Sequence, residues 1–226
     1  MGLLIGFLFW QSFRSPQPSA YSLQTLIDFK FLTFVFELVF KIFFIAVLVA
    51  LFITDLRKML IPDRVSLPAI RIALVYLLGI TIYKIGYLYY FLGQSEIGRL
   101  LLPPHSPYFQ RHALLTAQPL FGSILSGLGI AGFFMALIII TKGKGMGGGD
   151  VKLGGFIGLA LGFPQSLLAI VLSFIIGAVF SVGLLILGKK HFGQTIPFGP
   201  FLVLGSLITL FWGNKIIDWY LHLSLN

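Results

Sequence analysis

Long apolar runs broken by short polar interruptions set the pattern of the chain. An opening apolar run, residues Met1–Phe13, gives way to a polar stretch from Arg14 to Lys30, where Pro16 and Pro18 mark a break. Apolar runs then cover Phe31–Thr54, Ser66–Leu92, Ala113–Ile140, Ser166–Leu187 and Ile196–Trp212, and a shorter one covers Asp150–Gly162. About 20 apolar residues cross a bilayer core as a helix, and the helix satisfies every backbone group where water is absent. The pattern predicts an all-α fold, a polytopic transmembrane helix bundle of about six spans plus a short N-terminal apolar segment. Residues 1–30 read as that segment with its polar connection, and 31–226 as the membrane domain. The opening run lacks a basic leader and a small-residue cleavage site, so it reads as a retained segment rather than a removable signal.

Composition supports the class. The chain is 58% hydrophobic and only 10% charged, against about 25% charged residues in a soluble domain. The net charge of +9 would suggest nucleic acid in a soluble protein. Here the basic residues fall mostly in short loops, and no basic-aromatic patch occurs, so anionic lipid is the expected partner and nucleic acid is not. The absence of cysteine excludes disulfides, cysteine nucleophiles and cysteine-ligated zinc.

Charge also orients the spans. If they alternate, Arg57, Lys58, Arg64, Lys142, Lys144, Lys152, Lys189 and Lys190 share one side, against Arg99, Arg111 and Lys215 on the other. The positive-inside rule then puts the Asp55–Arg64, Thr141–Lys152 and Gly188–Gln194 loops in the cytoplasm. Small residues recur every fourth position at Ser123, Gly127 and Ala131, at Gly154, Gly158 and Gly162, and at Ser173, Gly177 and Ser181. This spacing lets helix backbones approach closely in lipid, so these stripes read as packing surfaces. The Asp150–Gly162 segment would extend only about 20 Å as a helix, short for a bilayer, which keeps its polar end below the membrane surface.

Few side chains can do chemistry. Of the seven acids, Asp55, Asp63 and Asp150 lie in the basic loops. Asp55 ends one apolar helix and Asp150 begins another at the same face, so the two carboxylates can meet. Close carboxylates cannot both ionise cheaply; one proton is shared, the ionised member activates water and the neutral member polarises a scissile carbonyl. Gly147, Gly148 and Gly149 before Asp150 read as loop-shaping positions that give backbone freedom and room for a substrate strand. Asp150 reads equally as a helix N-cap, and Asp63, after Pro62, as an N-cap before the next span. His105, His112, His191 and His222 have no metal-ligand spacing, so no metal and no cofactor are expected. A phosphate loop fails because the last glycine precedes an aspartate instead of Lys-Ser/Thr.

These motifs resemble those of type IV prepilin peptidases. Thr54-Asp55-Leu56-Arg57-Lys58-Met59-Leu60-Ile61-Pro62-Asp63, with Leu67-Pro68, is similar to the first signature, and Gly145-Met146-Gly147-Gly148-Gly149-Asp150 to the second, GxGD. Ile196-Pro197-Phe198-Gly199-Pro200-Phe201-Leu202 is similar to a stretch near the end of that fold, with Pro197, Gly199 and Pro200 as structural positions alongside Pro62 and Asp63. The resemblance implies that Asp55 and Asp150 are the catalytic pair of an aspartic endopeptidase. It further implies a prepilin or pseudopilin substrate, cut after a leader-terminal glycine at the cytoplasmic face of the inner membrane. Longer family members carry a cysteine-ligated zinc insert and methylate the new amine with S-adenosylmethionine. This chain has no cysteine, so peptidase activity is expected without methyl transfer. Two other readings use the same aspartates: a presenilin-like intramembrane protease, whose Pro-Ala-Leu motif does not occur here, and a proton or cation transporter, for which no internal repeat is seen.

Overall fold

A computed structural model describes residues 20–58, 60–103, 107–143, 147–187 and 197–224. The N-terminal apolar segment, Gly145, Met146, His105, His191, Lys144, Lys189 and Lys190 lie outside the described residues. Seven helices occur among the described residues: α1 (Ala20–Lys58), α2 (Asp63–Gly93), α3 (Glu96–Leu100), α4 (Tyr108–Ile140), α5 (Gly148–Leu161), α6 (Gln165–Ile186) and α7 (Gly199–Ser224). No described residue is in a strand. The chain divides into Met1–Lys41 and Ile42–Asn226. Within the first unit, the described residues form the opening of α1. The central helix packing and the two aspartates belong to the second.

Among the described residues, five helices are long and apolar enough to cross a membrane, within α1, α2, α4, α6 and α7. Their outward faces carry large apolar side chains: Leu125, Ile140 and Ile186 are 74%, 75% and 81% exposed. Such a surface is stable against lipid and not against water. The sixth apolar run forms α5, whose 14 residues reach only about 21 Å. The fold is an all-α polytopic bundle.

α5 is buried from Leu153 through Leu159 without a break. A helix apolar on every side belongs inside a bundle, and α5 packs against α2, α4, α6 and α7. The small-residue stripes explain how. A Cβ on Gly158 would lie 2.6 Å from Gly127 Cα and 2.7 Å from the Ser126 carbonyl oxygen. One on Gly155 would lie 3.5 Å from Ala131, and one on Gly162 2.9 Å from Ser123 Oγ. Ascending positions on α5 thus meet descending ones on α4, the register of two antiparallel helices in backbone contact. The Ser126 and Ser166 hydroxyls share a hydrogen bond between α4 and α6. Gly205 fits against Ser173 and the Ala169 carbonyl, joining α6 to α7.

Several boundaries differ from expectation. The expected polar connection up to Lys30 is helical from Ala20 onward, because the two prolines precede it and nothing after Ala20 interrupts a helix. α7 continues past Trp212 to Ser224: Asn214, Lys215, Asp218 and His222 end the apolar run but do not break a helix. Asp55 lies in the last turn of α1, ending that apolar helix as expected, and the loop begins after it. Asp63 is not an N-cap. Pro62 takes that place with φ −72° and ψ 131°, and its carbonyl accepts the Val65 and Ser66 N–H groups, both at 3.1 Å. The Asp63 carboxylate instead pairs with Lys152, joining the start of α2 to α5.

Candidate active site

Asp55 belongs to the inward stripe of α1. Phe44, Leu48 and Leu51 are at most 1% exposed, and Asp55 follows at helical spacing. The Phe44 ring meets Phe156 of α5 at 5.3 Å, fixing this face on the central helix. A carboxylate in the last turn of a helix opposes the helix dipole, so Asp55 is not there for the stability of α1. What meets it is the start of α7. The Gly199 N–H donates to the Asp55 carboxylate, and a Cβ on Gly199 would overlap Asp55 Oδ2. The positive end of α7 therefore lies on the Asp55 charge.

Asp150 sits in the first turn of α5. Its Oδ2 accepts the Gly147 N–H at 3.2 Å, with Gly147 at the N-cap. The N-cap reading of Asp150 is thus displaced by three residues: Asp150 serves as the acidic half of a capping arrangement. Burial, with the nearby Asp55 charge adding to it, pushes the Asp150 carboxyl up to about 6, and the Gly147 N–H works against both. Asp55 and Asp150 are 5% and 7% exposed. The structure brings them within electrostatic reach of one another, where the end of α1 meets the starts of α5 and α7.

Of the three glycines, Gly149 acts by size. Gly147 is extended, at φ −95°, and only Gly143 and Gly162 have left-handed backbones among the described glycines. The expected need for glycine-only conformations at positions 147–149 is therefore not met. Gly149 is required because a Cβ there would lie 2.8 Å from Ile61 Cβ, whereas a Cβ on Gly148 would meet nothing within 4 Å. Pro197 is half-buried and Pro200 buried beside Gly199. Phe198 anchors this turn: its ring meets Phe174 of α6 at 4.9 Å and Phe134 of α4 at 6.0 Å. Sequence reasoning missed Ile61, Phe198 and the Gly199–Asp55 contact. The nearest sequence signal was the Pro-Phe-Gly-Pro run, which marks a fixed turn but does not name its partner.

Asp63 lies beside this junction as an ion-pair partner, not within it. His112 hydrogen-bonds the Tyr108 carbonyl at 3.0 Å and stacks on its ring in the first turn of α4. Among the described residues, no three metal-ligating side chains come together. A shallow concavity lined by Ile208, Trp212, Lys215, Ile216 and Trp219 is confined to one face of α7, well along that helix from Gly199.

The fold and site define a class: a polytopic helix bundle with two buried aspartates where helix ends converge. Residues 42–182 match the Type IV leader peptidase family, and the chain belongs to it. A similar protein is the "Prepilin leader peptidase/N-methyltransferase" of Aeromonas salmonicida (strain A449), 34% identical over 180 residues, covering 79% of this chain and 51% of that one. The protein of the same name in Bacillus subtilis (strain 168) is 30% identical over 190 residues, covering 84% and 62%. That of Pseudomonas aeruginosa is 36% identical over 105 residues, covering 46% and 36%. The chain spans about half the length of the curated relatives it matches. No solved structure matches.

Proposed function

We propose that the chain is a membrane-embedded aspartic endopeptidase that removes the basic leader from type IV prepilins or pseudopilins, at the cytoplasmic face of the inner membrane. The observation that carries this reading is that Asp55 lies within electrostatic reach of Asp150, each buried and each held by a backbone N–H. Membership of the leader peptidase family, and relatives named as prepilin leader peptidases, support the substrate class.

The chemistry follows from two carboxyls sharing one proton. The ionised carboxylate takes a proton from water as the water oxygen bonds to the scissile carbonyl carbon. The neutral carboxyl gives its proton to the carbonyl oxygen, forming a neutral tetrahedral diol. Collapse of the diol breaks the C–N bond, the amine leaves with a proton, and the dyad regains its single proton. The proton belongs to the pair as a unit. No metal or cofactor enters the scheme, and the proposal covers peptide cleavage without methyl transfer.

The test is purified protein in detergent with a prepilin carrying its basic leader, followed by mass spectrometry of the new N-terminus. Wild type should release the leader and leave an unmethylated amine. Asp55→Asn and Asp150→Asn should each reduce turnover to background while retaining the folded elution profile. Full cleavage by either variant would end the two-aspartate mechanism.

A further inference from the structure

The linker between α1 and α2 places one apolar side chain against the backbone that supports both aspartates. Ile61 Cβ, Cγ1 and Cδ1 lie 2.8, 3.1 and 3.2 Å from where a Cβ on Gly149 would be, and Gly149 adjoins Asp150. Ile61 Cδ1 lies 3.5 Å from where a Cβ on Gly199 would be, and Gly199 holds Asp55. Ile61 therefore bridges the two supports of the carboxylate pair. It is not a core filler: it is half-buried on non-helical backbone, whereas Leu48, Leu51 and Leu153 are at most 1% exposed. Beside it, Gly148 is exposed, and a Cβ there would meet nothing within 4 Å. Among the described residues, Ile61 is thus the branched side chain placed against both backbone supports of the aspartates, beside the exposed Gly147 and Gly148.

We propose that Ile61 is a specificity-determining residue, setting the upper size limit for the substrate side chain admitted beside the aspartate pair. The proposal rests on the peptidase reading of Asp55 and Asp150. A fixed apolar wall rejects an oversized group by steric overlap, and one methylene at such a wall is worth about 10- to 200-fold in kcat/KM. Ile61 is suited to this because Pro62 fixes the chain behind it and Gly149 lets it sit flush against α5.

The experiment uses the full chain in detergent and prepilin substrates differing only in the residue preceding the scissile bond: glycine, alanine or valine. Wild type should strongly prefer the smallest. Ile61→Ala should raise kcat/KM for the alanine and valine substrates relative to glycine by about 10-fold or more, chiefly through KM. Ile61→Val, which removes one methyl, should move the ratio in the same direction by less. A merely structural role would slow all three substrates by one factor and leave their ratios at the wild-type value; that result overturns the proposal. Should Ile61→Ala be inactive on every substrate, Ile61→Val decides, and an unchanged ratio there is equally fatal. Wild type that cuts none of the substrates, or Asp150→Asn that cuts them, would instead defeat the peptidase reading.

Discussion

Asp150 holds its proton more tightly in the folded protein than an ordinary carboxyl, because burial disfavours its charge. Its ordinary value is 3.8 and its folded value about 6. The folded state therefore binds the proton better, and stability falls as pH rises through that interval, levelling off above about 6. The gap corresponds to at most about 3 kcal/mol. Asp150→Asn carries no charge and retains an oxygen for the Gly147 N–H. Its stability relative to wild type, read as Tm in detergent, should thus increase from about pH 4 to about pH 8. A constant difference across that range would show that ionising Asp150 carries no such penalty. At Gly199 the outcome is steric: Gly199→Ala places a methyl on Asp55 Oδ2. A misplacement of that order should lower kcat about 100-fold with near-normal thermal stability, measured on the same preparation. Retained turnover would mean that Asp55 does not need its present position.

At the scale of elements, the interlock of α4 with α5 fixes the helix that carries Asp150. α5 is too short to span a bilayer and too apolar to face water, so it depends on its neighbours. Gly158→Ala drives a methyl into the Gly127 backbone and should destabilise the bundle by about 1–3 kcal/mol. Gly129→Ala, on the same helix as Gly127 but with nothing within 4 Å, should be neutral or stabilising by up to about 1 kcal/mol. Thermal unfolding in one detergent compares them directly. Equal losses would remove the backbone contact as the reason for glycine at 158. The Lys152–Asp63 pair lies largely at the surface, with side chains 34% and 60% exposed. Such a pair contributes less than about 1 kcal/mol; it ties α2 to α5 without being a principal source of stability.

For the whole molecule, the meeting of Asp55, Asp150 and Gly199 puts the end of α1 and the starts of α5 and α7 on one side. We propose from the distribution of basic residues that this side is the cytoplasmic one. Because the chain has no cysteine, single introduced cysteines read the sidedness directly. In intact cells an impermeant maleimide should label Gln94→Cys, beyond α2, and leave Thr141→Cys, after α4, unlabelled until permeabilisation. The reverse pattern would move the site to the outer face.

Contiguous residues determined a great deal by themselves. The length and apolarity of each run fixed the membrane class and the helices, because crossing a bilayer imposes its requirement on each segment separately. The local motifs around Asp55 and Asp150 singled out the pair, since a charged residue ending an apolar run is visible without knowing its neighbours in space. Tertiary structure alone decided what those residues touch. It gave Asp55 the backbone of Gly199, set Ile61 between two glycines, turned Asp63 from a cap to a partner of Lys152, and matched Gly158 to Gly127. These contacts join helix ends far apart along the chain, and they depend on how closely backbones pack, which no single segment's pattern of side chains encodes.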